Sequence, residues 1–529
     1  MLFTSYGFIG FLLILFPLYY LLPKKLQWPL LLAADYLFYC FAGPGFLVYI
    51  LSTTATVWLA AMGIAALDEG QKAYLASHKA ELSRDERKEY KAGIKKKQRL
   101  CMLAGLLLNL GILAAVKYAN FAIVNINALL RLFGGGRLGF LDIALPLGIS
   151  FYTFQALGYL VDVYRGTAEA ERNVFKFALF VSFFPQLVQG PISRYNDLKE
   201  TLYSPHSFDP DSFTRGLQRV LWGYFKKLVI ADRILTAVNV IIGSPVRYDG
   251  GYVLVGMLFY ALELYADFTG GIDITIGLAE ALGIRVRENF IRPFFSKSVK
   301  EYWRRWHISM GAWFTDYVFY PISVCKPMLR FSKFARSRFG NAVGKRLPVY
   351  LSSFTVWLAT GLWHGAGWNF VAWGLGNWVI IMVSQELEPL YARFHRRFPV
   401  SGRLWFRAFQ VIRTVLLMSV LRMFDCYRSV PLTFKMFFTL FTPRNWAALF
   451  SGGLMELGLS GVDYGVLLFG LVLLLAVSLL QRGGSLRDRL RAKLYPLRFA
   501  VWFGLFVLVL LAGEYGVGYD QSQFIYNQF

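Results

Sequence analysis

Cysteine and histidine are scarce in this chain of 529 residues, with four of the first and five of the second. Cys40, Cys101, Cys325 and Cys426 are widely scattered, and no CxxC pair or His/Cys ligand spacing occurs. Neither a zinc site nor a disulfide framework is indicated, and no metal ligands are expected. The glycine cluster at 134–136 lacks the GxxxxGK[ST] pattern, and no GxSxG turn is present. A phosphate-cradling loop and a serine nucleophile elbow are therefore not on offer. Heptads, tandem repeats and solenoid repeats are missing too, as is any linker of soluble character. The expectation is one integral-membrane domain over residues 1–529.

Charge is the other shortage. Asp, Glu, Lys and Arg make up 17% of the chain against 56% hydrophobic residues. That balance suits an all-α polytopic membrane protein better than a soluble enzyme of this length. The net charge is +24, which in a soluble protein would suggest nucleic acid. Here the cations sit in short loops between apolar runs, where the positive-inside rule and anionic headgroups account for them. No folded basic face with stacking aromatics is evident, so nucleic acid is not an expected partner.

The N-terminal run, uncharged to Pro23, meets Lys24-Lys25 on its far side. A cleaved signal peptide has the opposite order, so a retained span with an extracytoplasmic N-terminus is expected. From Leu26 to Leu67 only Asp35 is charged, leaving room for two more spans. Residues 68–99 are mixed in charge and end in KAGIKKKQR, a cytoplasmic, partly helical loop. The basic segments 325–346, 387–407 and 482–493 fall on the same side, which puts the C-terminal tail outside as well. In the stretch 183–198, Pro185, Gly190 and Pro191 must break a helix, so it reads as a re-entrant segment lining a cavity. About eleven spans are expected in total.

Two signals carry less than they promise. His206 and Asp211 have an HxxxxD spacing, but SFDPDSF reads better as an N-cap, with Asp209 or Asp211 opening a helix from Phe213. Glu263, Asp267, Asp273 and Glu280 lie in an apolar stretch and are read as partners of buried cations or helix ends.

The informative region is 294–374. Leu347 to Gln385 has no Asp, Glu, Lys or Arg and is long enough for two spans. His364 lies near its middle beside Gly361, Gly365 and Gly367, where the two spans would meet. His307 stands in YWRRWHIS. An ionisable residue held in or beside a membrane is costly and is a functional candidate by default. Histidine can serve as general base at neutral pH, taking a hydroxyl proton as the oxygen attacks an acyl carbonyl. Direct attack on a thioester needs alignment and a polarising donor, with no protein nucleophile. Arg304 and Arg305 are candidates for a donor's phosphates, and Trp303 and Trp306 for its path.

EYWRRWHIS at 301–309, WFTDYVFYPI at 313–322 and GLWHGAGWNFVAWG at 361–374 resemble the signature region of the membrane-bound O-acyltransferase family. LPLGISFYTFQALGYLVDVYRG at 145–166, PQLVQGPISRY at 185–195 and the tail GYDQSQFIYNQF at 518–529 resemble its bacterial branch. The resemblance implies a ring of helices around a central tunnel, with re-entrant and interfacial helices beside them. It implies catalysis by His364, with His307 nearby, and a substrate-binding surface that includes Trp303, Arg304, Arg305, Trp306, Asp316, Trp363 and Asn369. No permanently bound cofactor is implied; acetyl-CoA or another acyl thioester is the donor substrate. The expected acceptor is an extracytoplasmic polysaccharide or a partner protein of the SGNH-hydrolase type. Two alternatives stay open: D-alanyl transfer from a carrier-protein thioester to teichoic acid, and a transporter or flippase with structural histidines. The last predicts internal inverted repeats, and none is evident. Thr315, the SVCKP sequence at 323–327 and the long basic insert to Arg346 depart from the bacterial pattern.

Overall fold

The computed structural model describes residues 2–516, and the tail motif at 518–529 lies outside them. The described chain is all-α, and it falls into two compact units. The first comprises Met1–Thr214 with Leu278–Arg287, the second Arg215–Gly277 with Glu288–Phe529.

Among the described residues, six helical stretches are long and apolar enough to cross a membrane: Pro44–Ser77, Arg84–Leu132, Gly251–Ala281, Leu404–Tyr427, Gly461–Gly483 and Tyr495–Ala512. The pair Trp368–Glu386 and Glu388–Arg397, bent by 48°, makes a seventh if the two helices form one broken span rather than a re-entrant loop. The composition led to about eleven. Much of the difference lies in apolar runs that fold as shorter helices, such as Tyr6–Leu21, and that break at proline or glycine. The charged stretch 68–99 continues two of the long helices and is loop only around 78–83.

In the first unit, α1 (Tyr6–Leu21), α2 (Gln27–Cys40), α3 (Leu47–Ser77), α4 (Arg84–Leu132) and α5 (Ile149–Arg165) precede three short helices. These are α6 (Val174–Ser182), α7 (Phe184–Gln189) and α8 (Tyr195–Leu202). Ser83 and Glu86 close a capping box at the start of α4. The break between α6 and α7 falls where Pro185 was expected to stop a helix, and the segment is buried. A helix start leaves backbone N–H groups without partners. Asp35 of α2, fully buried, meets one of them. Its carboxylate accepts from Phe184 N at 2.9 Å and from Ser182 Oγ at 3.2 Å. Asp35→Ala should strand that N–H and cost about 1–3 kcal/mol, read as a lowered unfolding temperature in detergent. An unchanged temperature would remove Asp35 from this role.

The HxxxxD pair is structural. The Asp209 carboxylate accepts from the backbone N–H groups of Asp211 and Ser212, opening α9 (Pro210–Tyr224). The His206 ring contacts the Thr201 carbonyl oxygen, and its backbone N–H donates to Gln27 Oε1.

The second unit takes in the rest of α9, a π-helical segment Phe225–Ala231, α10 (Asp232–Gly243) and most of α11 (Gly251–Ala281). Gly223 lies so close to α11 that a Cβ there would come within 2.6 Å of the Gly270 carbonyl oxygen. This is the approach that Gly270, following DFT, permits. It brings cations on one element against acids on the other. Asp273 meets Arg219 at 2.9 Å and Lys226 at 2.6 Å; Asp267 meets Lys227 at 2.7 Å. Neighbouring residues of an α-helix do not share a face. The wider π turn lets both Lys226 and Lys227 be buried and paired.

The remaining helices carry the site: α12 (Val299–Arg305), α13 (Ile308–Phe314), α14 (Tyr320–Ser323), α15 (Lys326–Gly344), α16 (Arg346–His364), α17 (Trp368–Glu386), α18 (Glu388–Arg397) and α19 (Leu404–Tyr427). The short α20 (Val430–Thr439) and α21 (Trp446–Phe450) follow, then α22 (Gly461–Leu480), α23 (Leu486–Arg491) and α24 (Tyr495–Ala512). The basic insert is thus a helix, α15, with exposed Arg330, Arg336 and Arg338 and buried Met328 and Ala335.

Candidate active site

The uncharged run 347–385 folds as the antiparallel-reading pair it suggested, α16 and α17, joined by Gly365–Gly367. Their backbones pack tightly. A Cβ on Gly361 would come within 2.5 Å of the Phe370 carbonyl oxygen, and one on Gly374 would collide with Trp357 O. His364 is the last residue of α16, buried, at the point where the helix stops. Its ring packs edge-on against Trp373 at 4.6 Å and Trp363 at 5.1 Å between centroids.

His307 is set by a different break. It joins α12 to α13 in the left-handed region, φ 49° and ψ 53°, which a non-glycine residue adopts only when its surroundings impose it. Those surroundings are visible. Asn289 accepts from Ser309 N at 2.9 Å through Oδ1, and Ile308 N donates to the Asn289 carbonyl oxygen. The Asn289 amide lies 3.2 Å from His307 Nδ1. The ring is fully buried, edge-on to Phe268 at 4.9 Å and 5.9 Å from the Trp363 ring. Trp363 therefore touches both histidines.

His307 lies between two short helices, outside every spanning helix. Burial, and then the positive charge of Arg422, pulls its imidazole from the ordinary 6.5 down to about 3. In the unfolded chain the same ring takes a proton as pH falls through about 6.5. The native state is thus destabilised through this group as pH drops from about 6.5 towards 3, and the effect vanishes above 6.5. Asparagine tolerates the left-handed backbone. His307→Asn should flatten the loss of unfolding temperature between pH 7 and pH 5. An identical slope would mean that His307 is already protonated or solvated there.

The other expected residues divide. Trp303 and Trp306 join the centre. The Trp303 indole N–H donates to Asn377 Oδ1 at 3.1 Å, its ring lies 5.7 Å from Trp373, and Trp306 is buried against Phe290 at 5.0 Å. Asn369 is buried at the start of α17, and its amide donates to the Phe424 carbonyl oxygen, so it ties α17 to α19. Arg304 is exposed, and Arg305 is half-buried in an ion pair with Glu301 at 2.5 Å. Asp316 is half-buried in a π-helical turn, Thr315–Phe319. The sequence reading missed Arg422 of α19, buried among the indoles. A charged residue inside the apolar run LLMSVLRMF was the available signal.

Residues 136–424 match the model of the membrane-bound O-acyltransferase family. The chain belongs to that family. It is an acyltransferase and a multi-pass membrane protein. Among its relatives is the probable alginate O-acetylase AlgI of Azotobacter vinelandii, 34% identical over 388 residues, covering 72% of this chain and 68% of the relative. The peptidoglycan O-acetyltransferase of Helicobacter pylori is 29% identical over 330 residues, covering 57% and 58%. The teichoic acid D-alanyltransferase of Bacillus subtilis is 27% identical over 241 residues, covering 44% and 58%. In this acyltransferase, both family signature blocks end in one buried aromatic centre that contains His307 and His364.

Proposed function

We propose that this acyltransferase takes an acetyl group from acetyl-CoA on the cytoplasmic side and passes it to an extracytoplasmic polysaccharide or to a partner acetyltransferase. His364 is the general base. His307, held by Asn289, is a positioning residue that stays neutral. The observation that carries the reading is the convergence of the two histidines on Trp363, each at a helix break and each buried. Such a centre excludes water, so a thioester is spent on an aligned hydroxyl and not on hydrolysis. The greater coverage of the alginate acetylase relative favours an acetyl donor and a polysaccharide acceptor.

The topology that fits this reading puts the basic helices α15 and α23 in the cytoplasm and the N-terminus outside. The partner would be an SGNH-type hydrolase on the outer side. D-alanyl transfer is the second reading. It is favoured by the teichoic acid relative and by the exposed cations of α15, which suit an acidic carrier protein.

Purified protein given acetyl-CoA and a hydroxyl acceptor such as oligomannuronate should release CoA, and His364→Ala should not. Consumption of a D-alanyl carrier thioester with no CoA released from acetyl-CoA would replace the first reading with the second.

A further inference from the structure

Arg422 stands in α19, outside both signature blocks, and neither the motif resemblance nor the two-histidine reading gives it a task. Its side chain is buried. The guanidinium carbon lies 5.0 Å from the Trp306 ring, 5.1 Å from Trp373 and 6.0 Å from Trp303. Trp306 directly precedes His307, and Trp373 packs on His364 at 4.6 Å. The cation is therefore built into the walls of the same centre as the two histidines.

A structural arginine at this depth would be expected to have a close, bidentate carboxylate, because removing a charge from water is costly without excellent geometry. Arg422 does not have one. Its only acidic contact among the described residues is Asp425, with Nη1 and Oδ2 3.9 Å apart. The Tyr260 hydroxyl also bonds to the Asp425 carboxyl, which divides that acid between two partners. The Tyr302 hydroxyl is also a hydrogen-bond partner of the guanidinium, yet two donors, Nε and Nη2, are buried and make no well-formed hydrogen bond among the described residues. Three indole faces can hold a guanidinium in place, but they cannot accept those hydrogens in the plane of the fork. A fixed, desolvated cation with spare donors beside a general base is the arrangement that stabilises negative charge arising only during reaction.

We propose that Arg422 is a catalytic residue that donates from Nε and Nη2 to the donor's carbonyl oxygen as it becomes an oxyanion. This rests on the acyl-transfer reading. The acceptor hydroxyl oxygen bonds to the thioester carbon while its proton passes to His364. The carbonyl π pair moves onto oxygen, where the guanidinium meets it. Collapse re-forms the carbonyl, breaks the carbon–sulfur bond and releases the thiolate, which recovers the proton from His364. The products are an ester and a free thiol.

The test is steady-state acyl transfer from acetyl-CoA by the purified full chain, for wild type, Arg422→Met and Arg422→Lys, with unfolding temperatures measured alongside. The expected result for Arg422→Met is a 10²–10³-fold loss of kcat, as for removal of an oxyanion donor. KM for acetyl-CoA should change less than about threefold, because the contact is made in the transition state and not in the ground state. Arg422→Lys keeps a cation but loses the fork, and should recover at least about tenfold of that loss. Three results would overturn the proposal. A raised KM with unchanged kcat would make Arg422 a donor-binding group. Unaltered kinetics would leave it no role in the reaction. Loss of folded protein in both variants would make it a structural keystone. If wild type itself transfers nothing from acetyl-CoA, it is the acetyl-transfer reading that fails, before any variant is compared.

Discussion

His364→Ala lowers kcat for acyl transfer by about 10²–10⁴-fold, the range of a lost general base, while KM for the donor moves little. The expectation follows from where the ring is placed. His364 ends α16, and the glycine turn after it lets α17 fold back at once. The imidazole is gripped between Trp363 and Trp373, so its direction is fixed before any substrate arrives. Under the proposed role as general base, a ring so held needs no reorganisation at the moment of proton transfer. His307→Asn should cost less, because His307 is packed edge-on to Phe268 and its proposed role is positioning, not proton transfer. Equal losses in the two variants would require a direct part for His307 in proton transfer. Activity of His364→Ala within tenfold of wild type would remove the base assignment.

Lys227→Met destabilises the protein by about 3–5 kcal/mol, the cost of breaking a buried pair by removing one partner. The Lys227 ammonium lies 2.7 Å from both Asp232 and Asp267, and all three side chains are almost wholly buried. Removing the cation leaves two carboxylates inside the second unit with no positive charge between them. The triple change Lys227→Met, Asp232→Asn, Asp267→Asn should regain much of that loss, because no uncompensated charge remains. Chemical denaturation in detergent gives both numbers. A loss below about 1 kcal/mol for the single variant would mean that water reaches this cluster.

Much of the candidate site's geometry is legible in the sequence, for a physical reason. A run without charge from 347 to 385 must be a pair of buried or spanning helices, and glycines at its centre must be where they turn. A histidine at that turn is costly to hold, which makes it a functional candidate. His307 is legible as a histidine between tryptophans, but its left-handed backbone depends on Asn289, eighteen residues away, which no local pattern marks. The acids of α11 are recognisable as cation partners. Which cations they meet depends on a π turn at 225–231 and on the contact of Gly223 with α11, and these are tertiary facts. Arg304 and Arg305 sit in the most conspicuous motif, yet one is exposed and the other is paired with Glu301, while the buried cation of the centre is Arg422. Counting apolar runs led to more spans than there are long apolar helices among the described residues, because proline and glycine divide several runs into shorter helices.

The proposed transfer runs across the membrane through the His364 centre. The most direct measurement places the purified protein in liposomes, with radiolabelled acetyl-CoA inside and a polysaccharide acceptor with a secreted SGNH-type hydrolase outside. Label should reach the outer acceptor with wild type and stay at background with His364→Ala, with CoA accumulating inside in step with transfer. Equal labelling by wild type and His364→Ala, or release of CoA with label only on the inner side, would contradict it.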